Sequence, residues 1–445
     1  MRNPFNRSVT TREGFPVMPG SFPLVGHLPM VYRDLPGAFR AARELGLGPM
    51  FWVTLGLGQW VLLCTSPESI EVFKSKAFTS RHLQEIAPLV AGKSLLAQDG
   101  SLHRHMRSAM NPPFSPRGLD AGTAGAMAAK VIRALTDRWA EQPNVRMLPE
   151  IQRAELDVIF RVIGVEVEDL EPWRKADRDL LLANLNVKLR FPGSPATRSE
   201  KAKRWLDEHL VPIIAEARKS EGSGTLIGAL AHGKDDEGQP LTDEELLDNL
   251  RLLLLGGHET ISSTMAWIAL RLAHHGHLWD ELVAEASAGA GVPTTPEEAR
   301  RFPIAESLFR ETVRVHPAFG TITRKCVAPF ELHGRTIPEG TLVGVSLWSI
   351  SHDEALFADP FEFRPSRWRG RSAPPSPIEI SQFGAGVHFC LGYPLAWLEA
   401  VQFAVSLARS LSSKGVRPAL RDARSLEPIF VPTEHPSPKA VVDLR

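Results

Sequence analysis

Cys390 stands in the stretch Phe383-Gly-Ala-Gly-Val-His-Phe-Cys-Leu-Gly392, a thiol between glycines and directly ahead of a helix-forming run from Leu391 to Leu407. At a helix N-terminus, unpaired backbone N–H groups and the positive end of the dipole favour a thiolate over a thiol. Gly386 and Gly392 permit close approach of the backbone to a flat ligand, and Phe383 can pack against the sulfur. A soft thiolate with one open coordination face suits haem iron. The same group beside a histidine base is a nucleophile, and spacing alone leaves both open. Cys64 and Cys326 lack such surroundings and read as small buried hydrophobes.

A second stretch breaks a rule of helix composition. Leu246, Leu250, Leu253, Gly257, Thr260, Thr264, Trp267 and Arg271 fall on one helical stripe, which the capping box from Thr242 to Glu245 starts. In its middle comes Gly256-Gly257-His258-Glu259-Thr260. Adjacent mid-helix glycines cost about 1 kcal/mol each relative to alanine, so something requires the missing side chains. Thr260 taken alone reads as a helix threonine bonding its own backbone. Glu311 and Arg314 share a helix face. So do His103 and Arg107, which could address one anion or form a plain solvated basic face.

In chain order, Glu311-x-x-Arg314, Pro365-Ser-Arg367-Trp368 and Phe383-x-x-Gly386-x-x-x-Cys390-x-Gly392 resemble three motifs of the cytochrome P-450 family: its Glu-x-x-Arg helix, its arginine-bearing meander and its haem loop. The resemblance runs from about Phe15 onward. It implies a mainly α fold with a small β portion, a long central helix over the haem and the cysteine loop beneath. It implies that Cys390 ligates the iron of haem b, that His103, Arg107, Arg324 and His388 hold the propionates, and that Phe383 and Gly257 adjoin the cofactor. Thr260 and Glu259 become the catalytic pair, the hydroxyl binding the O2 co-substrate and the carboxylate joining its proton relay. Such acid assistance is typically worth about 10² to 10⁴-fold. Many soluble members carry a second threonine or serine where this chain has Ile261, which would make that wall more apolar. Leu89, Leu96, Gly256, Phe319 and Ile322 would line an apolar substrate pocket. Glu311, Arg314 and Arg367 would form a structural network around one buried carboxylate.

The elements that must position these groups are legible too. Pro16, Pro19, Pro23, Gly26 and Pro29 stiffen an approach segment within the first 30 residues, with no membrane anchor expected. A helix from Asp34 to Gly46 precedes a hairpin of Met50 to Thr54 and Trp60 to Cys64, and Ser66-Pro67 opens another helix. Ala77 to Leu102 reads as a long loop, and the helix after Asp99-Gly100 should end before Asn111-Pro-Pro113. Asp120 to Leu230 is a helical run broken at Pro143, at Pro149, at Phe191 to Pro195 and at Glu221 to Gly224. The break at 191 to 195 could hinge a lid or be a plain turn. A helix from Pro303 to His316-Pro317 leads to short strands at Thr321 to Lys325, Phe330 to Leu332, Thr336 to Ile337 and Leu342 to Val345. An aromatic meander, the cysteine loop, a helix and a strand-poor tail complete the chain. No long linker interrupts it, so 1–445 is expected to be a single domain.

Composition restricts partners. Lys plus Arg and Asp plus Glu number 51 each, so net charge calls for no nucleic acid and no anionic surface. Three scattered cysteines form neither a disulfide framework nor a zinc pair, and no apolar run reaches signal-peptide or membrane-span length. A cytoplasmic monomer is expected. With no flavin or iron–sulfur motif in the chain, electrons from NAD(P)H should arrive through ferredoxin and ferredoxin reductase, or through a flavodoxin-type donor. Arg369 and Arg371 are either its docking patch or a solvated basic loop. The resemblance thus implies a haem-thiolate monooxygenase of secondary metabolism, acting on a small apolar substrate of terpenoid, steroid, fatty-acid or polyketide type. The rival readings are a haem-thiolate enzyme that uses peroxide or performs oxidative coupling or isomerisation, and a haem-binding sensor without turnover.

Overall fold

The computed structural model describes residues 9–56, 58–165, 167–182, 190–219, 225–430 and 433–445. Among them the helical body consists of α1 (Leu35–Glu44), α2 (Gly100–Phe114), α3 (Ala124–Trp139), α4 (Met147–Ile163), α5 (Glu171–Leu181), α6 (Pro195–Lys219), α7 (Asp243–His274), α8 (Gly276–Ala288), α9 (Pro303–Val315) and α10 (Tyr393–Ser413). The larger sheet runs β1 (Thr10–Arg12), β2 (Phe15–Val17), β3 (Met50–Thr54), β4 (Trp60–Cys64), β10 (Leu342–Ser346), β7 (Thr321–Cys326), β5 (Phe78–Thr79). A three-stranded sheet orders β11 (Pro418–Leu420), β14 (Val441–Leu444) and β6 (Asn144–Arg146), and two hairpins pair β8 (Phe330–Leu332) with β9 (Arg335–Ile337) and β12 (Pro428–Ile429) with β13 (His435–Pro436).

The central helix α7 has 32 residues, about 48 Å at 1.5 Å per residue. It starts on a complete capping box: the Thr242 hydroxyl accepts from the Glu245 N–H, and the Glu245 carboxylate accepts from the Thr242 N–H at 2.8 Å. Its second half, Ile261 to Leu270, is buried throughout and packs with α3, α4, α9 and α10 in the main apolar core. β4 and β10 are parallel, with Leu62 opposite Val343, and β7 lies antiparallel on the far side of β10 with Arg324 opposite Val343. That register carries the N-terminal hairpin to the strand that bears Arg324.

Several boundaries differ from the sequence reading. The stretch 77–102 is punctuated by β5 and by short helices at Leu83–Ile86 and Pro88–Ala91. α2 continues through Pro112 and Pro113, and the Ser115 N–H caps it by donating to the Asn111 and Pro112 carbonyls. Pro149 falls in the first turn of α4, where a missing N–H removes no helical bond. α10 begins at Tyr393, not Leu391. The tail contains β11 to β14. The expected break at Glu221 to Gly224 lies outside the described residues.

The meander is held by one buried carboxylate. Glu311 and Arg314 on α9 have no exposed side-chain surface. Glu311 accepts from Arg314 Nη2 at 2.8 Å and Nε at 3.0 Å, from Arg367 Nε at 3.1 Å, from the Arg364 N–H at 2.8 Å and from Trp368 Nε1 at 2.8 Å. Arg314 spends its other donors on the carbonyls of Ser351, Pro360 and Glu362. Gln382, next to Phe383, donates to the Ser351 hydroxyl at 2.6 Å and so ties the cysteine loop to the same framework. Arg314→Ala would strand a buried charge and should lower stability by about 3 to 5 kcal/mol in denaturant melts. Arg314→Lys should recover little of it, since one ammonium cannot serve a carboxylate and three carbonyls. A melt unchanged in the alanine variant would refute this account.

Candidate functional site

Cys390 lies two residues ahead of Gly392, the residue that precedes α10. Its N–H donates to the Phe383 carbonyl at 2.9 Å, which closes the loop. Gly386 sits at φ +65°, and a Cβ there would approach the Phe73 carbonyl to 2.7 Å, so the loop passes this point only with glycine. The Phe383 ring meets Tyr393 edge-on at 4.8 Å between centroids, with Phe309 at 6.0 Å and Phe389 at 6.3 Å. Burial pushes the Cys390 thiol up, and the N–H groups of Gly392 and Tyr393 with the Arg107 charge only partly pull it back. The helix terminus alone therefore does not secure a thiolate; a bound cation would, since a coordinating thiol is deprotonated outright.

Basic side chains gather beside this loop. Arg107 Nη1 donates to the carbonyl of Phe389, adjacent to Cys390, at 2.7 Å. The His103 ring lies 4.2 Å from that of His388, and its Nε2 is buried without a partner. His388 Nε2 bonds Asp99 at 3.0 Å and the Ser80 hydroxyl at 3.3 Å. Arg324 is buried on β7, donates to the Thr323 carbonyl and lies over Phe73; burial lowers it to about 10. Asp99 is the carboxylate that His388 engages. Burial alone would raise it, but hydrogen bonds from His388, Thr79 and Ser80 hold it well below the usual range. The sequence reading missed Ser80, His82 and Asp99 in this cluster. The polar run Thr79-Ser80-Arg81-His82 inside a loop was the available signal.

On α7, a Cβ at Gly256 would meet no heavy atom within 4 Å, whereas one at Gly257 would sit 3.1 Å from Ile159 Cδ1. A side chain at Gly257 would thus be crowded by α4, and Gly256 is the one that leaves open space. Thr260 Oγ1 donates to the Gly256 carbonyl at 2.6 Å. Glu259 is not brought to Thr260. Its Oε2 accepts from Gln152 Nε2 at 3.0 Å, and its Oε1 lies 3.7 Å from His258 Nδ1. Ile261 packs in the main core and not on the site wall. Burial opposes a charge on His258, but Asp177 and Glu259 overcome it and raise its affinity for a proton. Close by, burial pushes Glu155 to about 8 and raises Glu399, with Glu155 adding to the latter. None of Asp177, Glu155 or Glu399 was singled out from sequence, because a lone acid in an amphipathic helix looks like surface.

The expected pocket residues lie on separate elements. Leu89 is half-buried against the cluster of α2, α4 and α6, Ile322 is half-buried on β7, and Leu96 and Phe319 are exposed. Arg369 pairs with Glu281 at 2.5 Å and Arg371 with Glu379 at 2.8 Å, and both arginines stay partly exposed.

These donors fit a haem. They offer a sulfur flanked by backbone N–H groups, an unpartnered buried imidazole nitrogen and two guanidiniums without a carboxylate hydrogen-bonded to them among the described residues. Comparison with known proteins agrees. A family model described as cytochrome P450 matches residues 16–415. The cytochrome P450 BJ-4 homolog of Sinorhizobium fredii is 40% identical over 98% of this chain and 97% of that protein. Cyclooctat-9-en-7-ol 5-monooxygenase of Streptomyces melanosporofaciens is 28% identical over 88% of this chain and 87% of its own. A cyanobacterial structure solved with retinoic acid bound superposes with a TM-score of 0.84 at 24% identity, covering 97% of this chain and 99% of that one.

His82 and His103 are both lowered to about 4, chiefly by burial, from an exposed value of 6.5. With folded values below unfolded ones, the stability they contribute is complete above about pH 6.5 and is lost as pH falls from there through 4. The thermal midpoint should drop over that window, and the double variant His82→Asn and His103→Asn should show a shallower slope. Equal slopes would contradict the assignment.

Proposed function

The chain belongs to the cytochrome P450 family, and we propose that this monooxygenase inserts one oxygen atom from O2 into a small apolar molecule of terpenoid type, as a step of secondary metabolism. Haem b, when bound, supplies the O2 activation that no side chain can provide. In this reading Cys390 would hold its iron, with the backbone N–H groups of Gly392 and Tyr393 turned to the sulfur. Arg107 and Arg324 bring positive charge to the propionates. His103, neutral near pH 7, would donate to one from its unpartnered Nε2, and His388 is braced by Asp99. Phe383 packs the loop from beneath.

One observation carries the choice of oxygenation. On α7 a glycine whose Cβ would meet nothing stands one turn before a threonine that donates its hydroxyl proton to that glycine's carbonyl. With the proton committed there, Thr260 Oγ1 presents lone pairs and accepts a hydrogen bond on that face. Glu259 takes protons at Oε1 from the His258 side and, released from Gln152, turns them toward Thr260. Peroxide use or isomerisation needs no such delivery.

The substrate reading draws on the Streptomyces relative and on the exposed Leu96 and Phe319. The family's electrons come through redox partners, and we assign ferredoxin with its reductase here. No helix among the described residues is long and apolar enough to cross a membrane, and a cytoplasmic monomer with one domain completes the proposal.

In O2-driven turnover with a surrogate ferredoxin pair and a terpenoid library, Glu259→Gln and Thr260→Val should each lower product formation by about 10² to 10⁴-fold. Peroxide-driven product should stay within a few-fold. Equal loss by both routes would remove the proton-delivery role. Cys390→Ser should abolish the red-shifted Soret band of the reduced carbon monoxide complex, and its persistence would sink the ligand assignment.

A further inference from the structure

Three ligand-type side chains from two helices meet between α4, α5 and α7. One donor atom each from Asp177, His258 and Glu259 lies within 4.8 Å of the other two. His258 Nδ1 stands 3.4 Å from Asp177 Oδ2 and 3.7 Å from Glu259 Oε1. We propose that this is a binding site for a zinc-class divalent cation, held by Asp177 Oδ2, His258 Nδ1 and Glu259 Oε1.

The imidazole is already set for the task. Its Nε2 lies 2.9 Å from the Gln152 carbonyl, which can only accept, so Nε2 keeps a proton; the two carboxylates favour a second proton at Nδ1, and a metal bound there would displace that proton and use the lone pair it leaves. His258 and Asp177 are 3% and 4% exposed, yet His258 Nδ1 and Asp177 Oδ1 have no hydrogen-bond partner. Buried polar atoms of this kind are rare without a cause. The spacing also suits an ion. Two ligands about 2.0 to 2.1 Å from a tetrahedral zinc stand about 3.3 to 3.4 Å apart, so the two separations at Nδ1, 3.4 and 3.7 Å, need only a slight closure, and the carboxylates, within 4.8 Å of each other, would draw together on the ion.

An outer partner fixes two of the three ligands. Gln152 holds His258 through its carbonyl and donates from its amide to Glu259 Oε2 at 3.0 Å, which leaves Oε1 free to coordinate. Metal-ligating histidines are characteristically oriented by such a bond at the other nitrogen. Two carboxylates and a neutral imidazole balance a charge of two. The Glu259 side chain, 16% exposed, opens the site to solvent, which supplies the fourth ligand. The occupied site would slow O2-driven turnover, a consequence that rests on the proton role given to Glu259; occupancy itself does not.

The haem-loaded full chain, dialysed against buffered Zn2+ and assayed for metal, should retain about one ion per chain more than His258→Gln or Asp177→Asn. Both variants are checked for an unchanged melt and carbon monoxide spectrum. Gln152→Ala, which keeps all three ligands, should weaken binding about 10-fold or more. It serves as the readout should either ligand variant fail to fold. Equal zinc retention in wild type and all variants, as the neighbouring His274, His275 and His277 alone would give, overturns the site. So does the absence of zinc uptake at millimolar Zn2+. Occupancy without slower turnover would uphold the metal site and instead overturn the proton role of Glu259.

Discussion

A carboxylate with no exposed surface stays ionised only if every lone pair is answered, and Glu311 imposes that condition on everything from α9 to the cysteine loop. Two guanidiniums, an indole and a backbone N–H converge on it from α9 and the meander. Arg314, equally buried, must then find acceptors for its remaining donors, and it finds them in three carbonyls between Ser351 and Glu362. The irregular path of the meander follows from this demand, since its carbonyls must arrive where the guanidinium points. Through Ser351 and Gln382 the same demand reaches the loop that presents Cys390.

Burial holds several groups of the site in their neutral forms. The thiol is pushed up by burial, and the nearby imidazoles of His82 and His103 are pushed down. Arg107 and Arg324 keep their charge in the same region, with Asp99 a carboxylate bonded into the cluster through His388. A region built this way is electrostatically incomplete and favours a group that brings both a cation for the sulfur and anions for the guanidiniums. The residues that would serve such a group come from α2, β7 and the loop before α10, and the parallel register of β4 with β10 draws β7 toward the N-terminal hairpin.

Much of this was legible in the sequence because it is written in local rules. The capping box at Thr242, the hairpin around Gly56 and Gly58, and the strands after Pro317 rest on short-range chemistry and lie within a residue or so of where the structure has them. Glu311, Arg314 and Arg367 were readable as a set only because three motifs recur in a known order. What was not legible depends on which face meets which. Gly256 and Gly257 are the same letter with opposite surroundings, and Ile261 faces the core only because of the packing of α7. Asp99 looked like a turn residue, and Asp177, Glu155 and Glu399 like ordinary helix acids. Their chemistry comes from burial, which no local pattern encodes.

The parallel pairing of β4 with β10 also has a temporal side. Leu62 and Val343 are partners about 280 residues apart. At a synthesis rate of about 5 to 20 residues per second, the apolar strand Trp60 to Cys64 leaves the ribosome roughly 14 to 56 s before its neighbour exists. During that interval the newborn hairpin carries an unsatisfied hydrogen-bonding edge of the kind that recruits other chains. The sheet that later positions Arg324 is therefore also a part of the nascent protein that depends on being shielded while it waits.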